Sequence, residues 1–438
     1  MKQPLRVALT RVRWRIFALL FGFGVLAYMQ QKSLTIAAEQ MMPQLNLSQM
    51  QVGWLQQAFV LGYAVLQLPG GLFGQRQGAR RAFVIIGLVS FAAMIATPVA
   101  PHLFAGQSLF IFLLGAQLTL GFAQAAIFPI CAGVWETWFP ARRWAFVVGL
   151  HTMGTALGAA ITPPLIASLM VAAGWQNALL WTTLPALALI AAWAWYGRNT
   201  PREHPSVTAV ELAEIGDAGR VDSKISARQV LRLLANRNVL LLTISYVLMN
   251  YAFYLLSNWS FLYLVQERRF SVLTSGWLAI SPPLASAIGA GLGGLLTGAL
   301  CNRYGNRWGF RLVPLCALPM AALLLVFIVG VANPYLAVLA LALCFGCVEM
   351  TESSFWGGAI SIARGDSMAV CGIMNTGGNF GGIIGIPIIA YLSGHGSWHA
   401  ALAIGAVFAI ASAVAWLGID AGQTLNKVLA HAAHPAAQ

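Results

Sequence analysis

The sequence predicts an all-α integral membrane protein whose twelve transmembrane helices form two pseudo-symmetric six-helix bundles. Composition, twelve separate apolar runs and an internal repeat each point there. Of 438 residues, 59% are hydrophobic and only 8% are charged, against about a quarter charged in a typical soluble protein. A helical span needs ~20 apolar residues, so twelve would use about 240 and leave short connections plus one longer loop. The 44 glycines and 19 prolines favour helices over a barrel, because neighbouring transmembrane helices can satisfy the backbone groups these residues free.

In chain order the apolar segments run at roughly 16–38, 52–73, 82–99, 108–135, 144–170, 177–197, 239–264, 276–300, 312–331, 335–360, 368–393 and 399–419. A tail (1–15) precedes the first bundle (16–197), a polar linker (198–237) follows it, and the second bundle (238–420) leads to a tail (421–438). The first span is too long for a signal-peptide core and is followed by another, so it is expected to remain as a signal anchor.

The net charge of +13 raises nucleic acid as a partner, but the basic residues are not in one patch. The N-terminal tail, the even-numbered connections and Lys427 carry 22 of the 25 Lys and Arg residues, leaving Arg268 and Arg269 opposite and Lys32 within span one. This alternation follows the positive-inside rule, with both termini cytoplasmic and the basic faces against anionic lipid. It argues against nucleic-acid binding. The expected location is a plasma membrane, a bacterial inner membrane in particular. The six cysteines lie in or beside spans, and Cys344 with Cys347 reads as small packing residues in an apolar helix before redox or metal chemistry.

Gly71, Arg76, Gly78 and Arg80 recur as Gly298, Arg303, Gly305 and Arg307 at an offset of 227. Gly149, Gly154, Gly158, Pro164 and Trp175 recur as Gly372, Gly377, Gly381, Pro387 and Trp398 at an offset of 223. Two matches in the same order at nearly one offset mark a duplicated six-span unit.

Parallel six-span repeats with this Gly-Arg-Gly-Arg turn after the second span resemble the major facilitator superfamily. The stretches YAVLQLPGG (63–71), WFP (138–140), EHPSVTAVEL (203–212), NYAFYLLSNW (250–259) and FWGGAISIARGDSMAVCGIMNTGGNFGG (355–382) look like its anion:cation symporter branch, which includes sugar-acid permeases, sialin and vesicular glutamate transporters. The resemblance covers the whole chain and implies a secondary active transporter of a small polar organic solute, a carboxylate or sugar acid, coupled to protons or another ion. Alternating access, a monomer and no cofactor are expected with it. A facilitator or symporter of a neutral or cationic solute is the alternative, and a non-transporting solute sensor is a second. No nucleotide loop, zinc-spaced cluster or catalytic triad suggests an enzyme.

The family turn usually has an acid before its first Arg that helps latch the inner gate, whereas this chain has Gln75 and Asn302. The gate set is therefore Gly71, Gln75, Arg76, Gly78, Arg80, Asn302, Arg303 and Arg307, hydrogen-bonded in place of an ion pair. On this reading, restoring the two acids would stabilise the inside-closed state. Similar transporters also place an Asp-Arg pair in span one and an Arg and a Glu seven apart in span four. Here these positions are Gln30, Gln31, Gln117 and Gln124. Seven residues is two turns, so Gln117 and Gln124 share a face and can offer amides to a solute.

A charge at mid-bilayer costs at least ~2.5–3.5 kcal/mol, which makes the remaining intramembrane ionisable groups informative. Glu349 and Glu352 lie one turn apart in span ten with Trp356 following on the same face. Held together away from water, the two carboxyls are expected to share one proton and carry coupling. Structural bonding to a neighbouring helix is the other reading. Lys32 is either a substitute anion clamp or a side chain snorkelling to the outer interface. His151 is either a packing residue or a ligand, and Glu39 and Glu136 read as interface or gate residues. Tyr28, Gln31, Tyr63, Asn250, Tyr254, Asn258, Trp356, Asn375 and Asn379 complete the expected substrate set, with interhelical bonding the alternative for each Asn.

Overall fold

A computed structural model describes residues 11–216 and 225–424, in which there are helices and no strand. Lys2, Arg6, Lys427, most of both tails and the middle of the linker lie outside the described residues. Span one is α1 (Val12–Leu45), span two is α2 (Gln49–Val65) with α3 (Gln67–Gln77), and span three is α4 (Ala79–Leu103). Span four is α5 (Gly106–Ala125) with α6 (Ile127–Trp138), and α7 (Trp144–Thr183) with α8 (Pro185–Tyr196) makes spans five and six. The linker carries α9 (Ala209–Ile215) and α10 (Ala227–Ala235). The second bundle comprises α11 (Arg237–Gln266), α12 (Val272–Leu278), α13 (Ser281–Gly330), α14 (Pro334–Met350) with α15 (Glu352–Ala363), α16 (Ser367–Gly394) and α17 (Trp398–Gly418).

Nine helical stretches among the described residues are long and apolar enough to cross a membrane. Two of them must cross twice: Ala141–Tyr196 has 56 residues and Ser281–Gly330 has 50, whereas ~20 residues suffice for one crossing. They turn back at Gly174 (φ 80°) and Gly305 (φ 74°). The less apolar Gln49–Gln77 pair completes the twelve spans. Span eight starts at Ser281, later than the sequence suggested, because Pro282 and Pro283 favour the first helical positions.

The repeat is visible in the backbone. Gly78 (φ 78°) and Gly305 (φ 74°), equivalent by sequence, both adopt a left-handed conformation that a β-carbon would strain. A β-carbon on Gly149 would lie 2.6 Å from the Ala290 carbonyl oxygen, and one on its equivalent Gly372 would lie 3.0 Å from that of Gln67. Span five thus packs closely on span eight, and span eleven on span two, as a two-fold relation requires.

Four spans are divided in mid-course, span six at Leu184 just before Pro185, and the sequence explains where. Pro69 and Pro129 lack the N–H that would bond the carbonyls of Val65 and Ala125, so spans two and four break at Leu66 and Ala126. In span ten the Thr351 hydroxyl donates to the Val348 carbonyl at 2.7 Å, a back-bond that bends helices. The linker caps span one: Glu211 accepts from the N–H groups of Val12 and Arg13 at 3.2 and 3.1 Å, placing a carboxylate at the positive helix end. All six cysteines are free, and Cys344 is buried.

Candidate transport site

The bend at Thr351 separates Glu349 from Glu352 and sets both on the face between the bundles, 5% and 8% exposed. Glu352 is held firmly. Its Oε2 accepts from the Trp356 indole at 2.7 Å and from the Tyr246 hydroxyl at 3.2 Å. Glu349 makes no hydrogen bond to a described residue. Tyr28 of span one faces the pair from the other bundle, with Glu349, Glu352, Tyr63 and Tyr254 all within electrostatic reach of its hydroxyl. Phe128, just past the break in span four, packs between the bundles with its ring 6.2 Å from that of Tyr28 and 5.6 Å from that of Trp356.

The amides of the first bundle bind mainly one another. Gln124 donates to Gln30 at 2.7 Å and accepts from Gln31 at 3.3 Å. Gln117, placed by its spacing beside Gln124, instead turns its amide to the Thr97 hydroxyl of span three at 3.4 Å. The structure therefore pairs Gln117 with span three and not with the Gln30, Gln31 and Gln124 cluster. Lys32 is half-buried one turn beyond Tyr28 on the same helix face, and it has no hydrogen bond or ion pair with a described residue.

A polar ladder joins spans seven, eleven and two. The Tyr254 hydroxyl donates to Asn379 Oδ1 at 3.0 Å, Asn379 donates to the Asn375 carbonyl at 2.8 Å, and Asn375 donates to Gln67 Oε1 at 2.8 Å. The Tyr63 hydroxyl lies beside Gln67 and Asn375. Asn250 bonds back to its own helix at the Tyr246 carbonyl, 2.8 Å away. Asn258 is exposed and accepts from Ser257 at 3.3 Å, outside the cluster. Gln67 and Tyr246 were missed by the sequence reading. The signal for Gln67 was an amide one turn from Tyr63 in an apolar run, and Tyr246 stands one turn before Asn250.

His151 is fully buried, and neither ring nitrogen has a hydrogen-bond partner among the described residues. The rings of Phe128 and Trp135 stand over it with centroids at 5.4 and 5.0 Å.

The gate set divides. At the end of the bundles that carries most of the arginines, the Gln75 amide donates to Asp366 Oδ1 at 3.0 Å, and Gln229 of α10 donates to Oδ2 at 2.8 Å. The Gly365 N–H donates to buried Glu136 at 2.7 Å, and a β-carbon on Gly71 would meet the Met368 carbonyl oxygen at 2.3 Å. These contacts close this end between the bundles. Arg80 instead binds the Ala194 carbonyl at 2.6 Å, Arg76 is exposed, and Gly78 makes the turn. In the second half, Asn302 is exposed, Arg303 lies over the Tyr304 ring at 5.3 Å and Arg307 is 3.5 Å from Asp420. None of these three reaches the first bundle. The acid that faces the turn is Asp366, which the sequence reading did not single out. Its partner Gln75 must donate, so restoring an acid at 75 would set two carboxylates together, the reverse of the stabilisation expected from sequence.

A family model described as Major Facilitator Superfamily matches residues 20–370. The chain belongs to the major facilitator superfamily. It is a multi-pass membrane transporter and not an enzyme. It is 27% identical over 389 residues to a probable sulfoacetate transporter, SauU, of Cupriavidus necator, covering 87% of each chain. It is 25% identical over 423 residues to a probable galactarate/D-glucarate transporter, GudP, of Escherichia coli, covering 93% of each. The crystal structure of the E. coli fucose:proton symporter FucP matches with a TM-score of 0.70 at 15% identity, over 93% of this chain and 99% of that one. The relatives fit the anion:cation symporter branch to which the motifs pointed. The described residues of this superfamily member contain no group of His, Cys, Asp and Glu able to hold a metal ion.

Proposed function

We propose that the chain is a proton-coupled secondary transporter of a small organic acid, working by alternating access as a monomer in a bacterial inner membrane. Its arginine-rich end then faces the cytoplasm. The observation that carries the reading is Glu349, a buried carboxyl without a hydrogen bond to a described residue, within electrostatic reach of Tyr28 on the opposite bundle. A group so placed can exchange a proton as the bundles rock, while Glu352, held by Trp356 and Tyr246, fixes the cavity wall. Lys32, one turn from Tyr28 and without an ion pair to a described residue, supplies the cation for a carboxylate or sulfonate. Relatives that carry sulfoacetate and sugar diacids, by their names, support an acidic solute.

One cation favours a solute with a single anionic group plus hydroxyls, because a second charge would remain unpaired in a low dielectric. Uptake into proteoliposomes under an inward proton gradient tests this, comparing a uronic acid, sulfoacetate and D-glucarate. Accumulation with the uronic acid preferred to D-glucarate is expected, and Lys32→Gln should weaken it ten- to a hundredfold, the scale of one charge-assisted hydrogen bond of ~1.5–3 kcal/mol. Glu349, as a carboxyl without a partner among the described residues, also favours a second reading in which the solute is neutral or cationic. Amine uptake that survives Lys32→Gln would select that reading.

A further inference from the structure

We propose that linker helix α10 is a seat for the anionic inner leaflet and that its seating holds the cytoplasmic gate closed. Residues 227–235 spell ARQVLRLLA, ending two residues before span seven begins at Arg237. Rotation by 100° per residue divides the helix into three sectors. Gln229 and the buried Leu233 face the protein, and Gln229 donates to Asp366 at 2.8 Å. Leu231 and Leu234 point away from it, 66% and 43% exposed. Arg228 and Arg232 lie along one side of these leucines, and Arg237 follows on the chain.

None of the three arginines makes a hydrogen bond or an ion pair with a described residue. Exposed leucines bordered by unpaired arginines on a short helix, joined directly to the cytoplasmic end of a span, match a bilayer interface: leucines reach acyl chains and guanidinium groups reach lipid phosphates. The opposite face of the same helix reaches the gate. Asp366 accepts from Gln229 on one oxygen and from Gln75 on the other, so the lipid-seated helix and the first bundle grip one carboxylate. Opening this end separates Asp366 from Gln75, and a seated α10 resists that movement through Gln229. The inference rests on the cytoplasmic placement of this end and is independent of the substrate.

The test uses the full chain with an environment-sensitive fluorophore on Leu231→Cys, in a background with its six cysteines replaced, reconstituted in phosphatidylcholine vesicles with or without phosphatidylglycerol. Blue-shifted, brighter emission is expected only with phosphatidylglycerol. Arg228→Gln and Arg232→Gln should each weaken seating at a fixed anionic fraction about fivefold, as for a basic residue near a charged surface. Identical emission in both membranes overturns the seat. A second readout is alkylation of Met368→Cys from the cytoplasmic side, which should be slower with phosphatidylglycerol and regain speed in Gln229→Ala. If the fluorophore reports seating but alkylation ignores both lipid and Gln229→Ala, the link to the gate is overturned.

Discussion

Gln75 of span two donates a hydrogen bond to Asp366, at the start of span eleven, at 3.0 Å in the buried interface between the bundles. The polarity is fixed by chemistry, since a carboxylate only accepts and the residue opposite must donate. An amide in the turn is therefore matched to an acid 291 positions away.

Gln75→Asp is expected to open the arginine-rich end. Two carboxylates about 4 Å apart repel by up to about 4 kcal/mol at an effective dielectric of 20, unless one takes up a proton. Faster alkylation of a cysteine at position 368 than in the parent would show it, reversing as the pH falls. Adding Asp366→Asn to Gln75→Asp should restore closure, because the amide can then donate to the new carboxylate.

Glu349→Gln is expected to abolish pH-driven accumulation and leave solute counterflow, which needs binding and rocking but no net proton movement. Glu352→Gln should weaken both, because it changes the acceptor for Trp356 and Tyr246. Paired uptake and counterflow assays on each variant separate the roles. Wild-type pH-driven accumulation in Glu349→Gln would remove it from coupling.

Gly78→Ala and Gly305→Ala are each expected to destabilise by roughly 1–2 kcal/mol, the cost of a left-handed backbone for a residue with a β-carbon. Gly78→Ala should cost more, since its β-carbon would lie 2.7 Å from the Asn199 side-chain oxygen, whereas the one at Gly305 meets nothing within 4 Å. Thermal unfolding in detergent should rank wild type above Gly305→Ala and Gly305→Ala above Gly78→Ala.

The linker clasp should survive to acid pH. Hydrogen bonds from Arg13, with the nearby Arg11 charge, hold the Glu214 carboxyl below its ordinary range. A depressed value in the folded state gives stability that is fully present above the unfolded value of ~4.3 and fades as pH falls through the folded one. Hydrogen exchange of the α9 amides should stay slow at neutral pH and accelerate only below that range. Glu214→Gln should remove this acid dependence.

Composition and the offsets of 227 and 223 were enough to determine a twelve-span duplicated membrane protein, because hydrocarbon admits few backbone solutions and a repeat is visible at any distance in sequence. Proline placed the breaks in spans two and four, and Gly78 and Gly305 declared their turns, since these are local properties of the chain. The shared face of Glu349, Glu352 and Trp356 on span ten could also be expected from spacing, as polar groups in apolar helices need an interior face. What the helical period could not supply was the partner on another helix. Gln117 shares a face with Gln124 yet bonds Thr97, Glu352 and Glu349 look alike in sequence but only one is anchored, and Asp366 became the acid that faces the turn because folding set it opposite Gln75. Hydrogen-bond partners hundreds of residues apart are chosen by the docking of the two bundles, which no local spacing records.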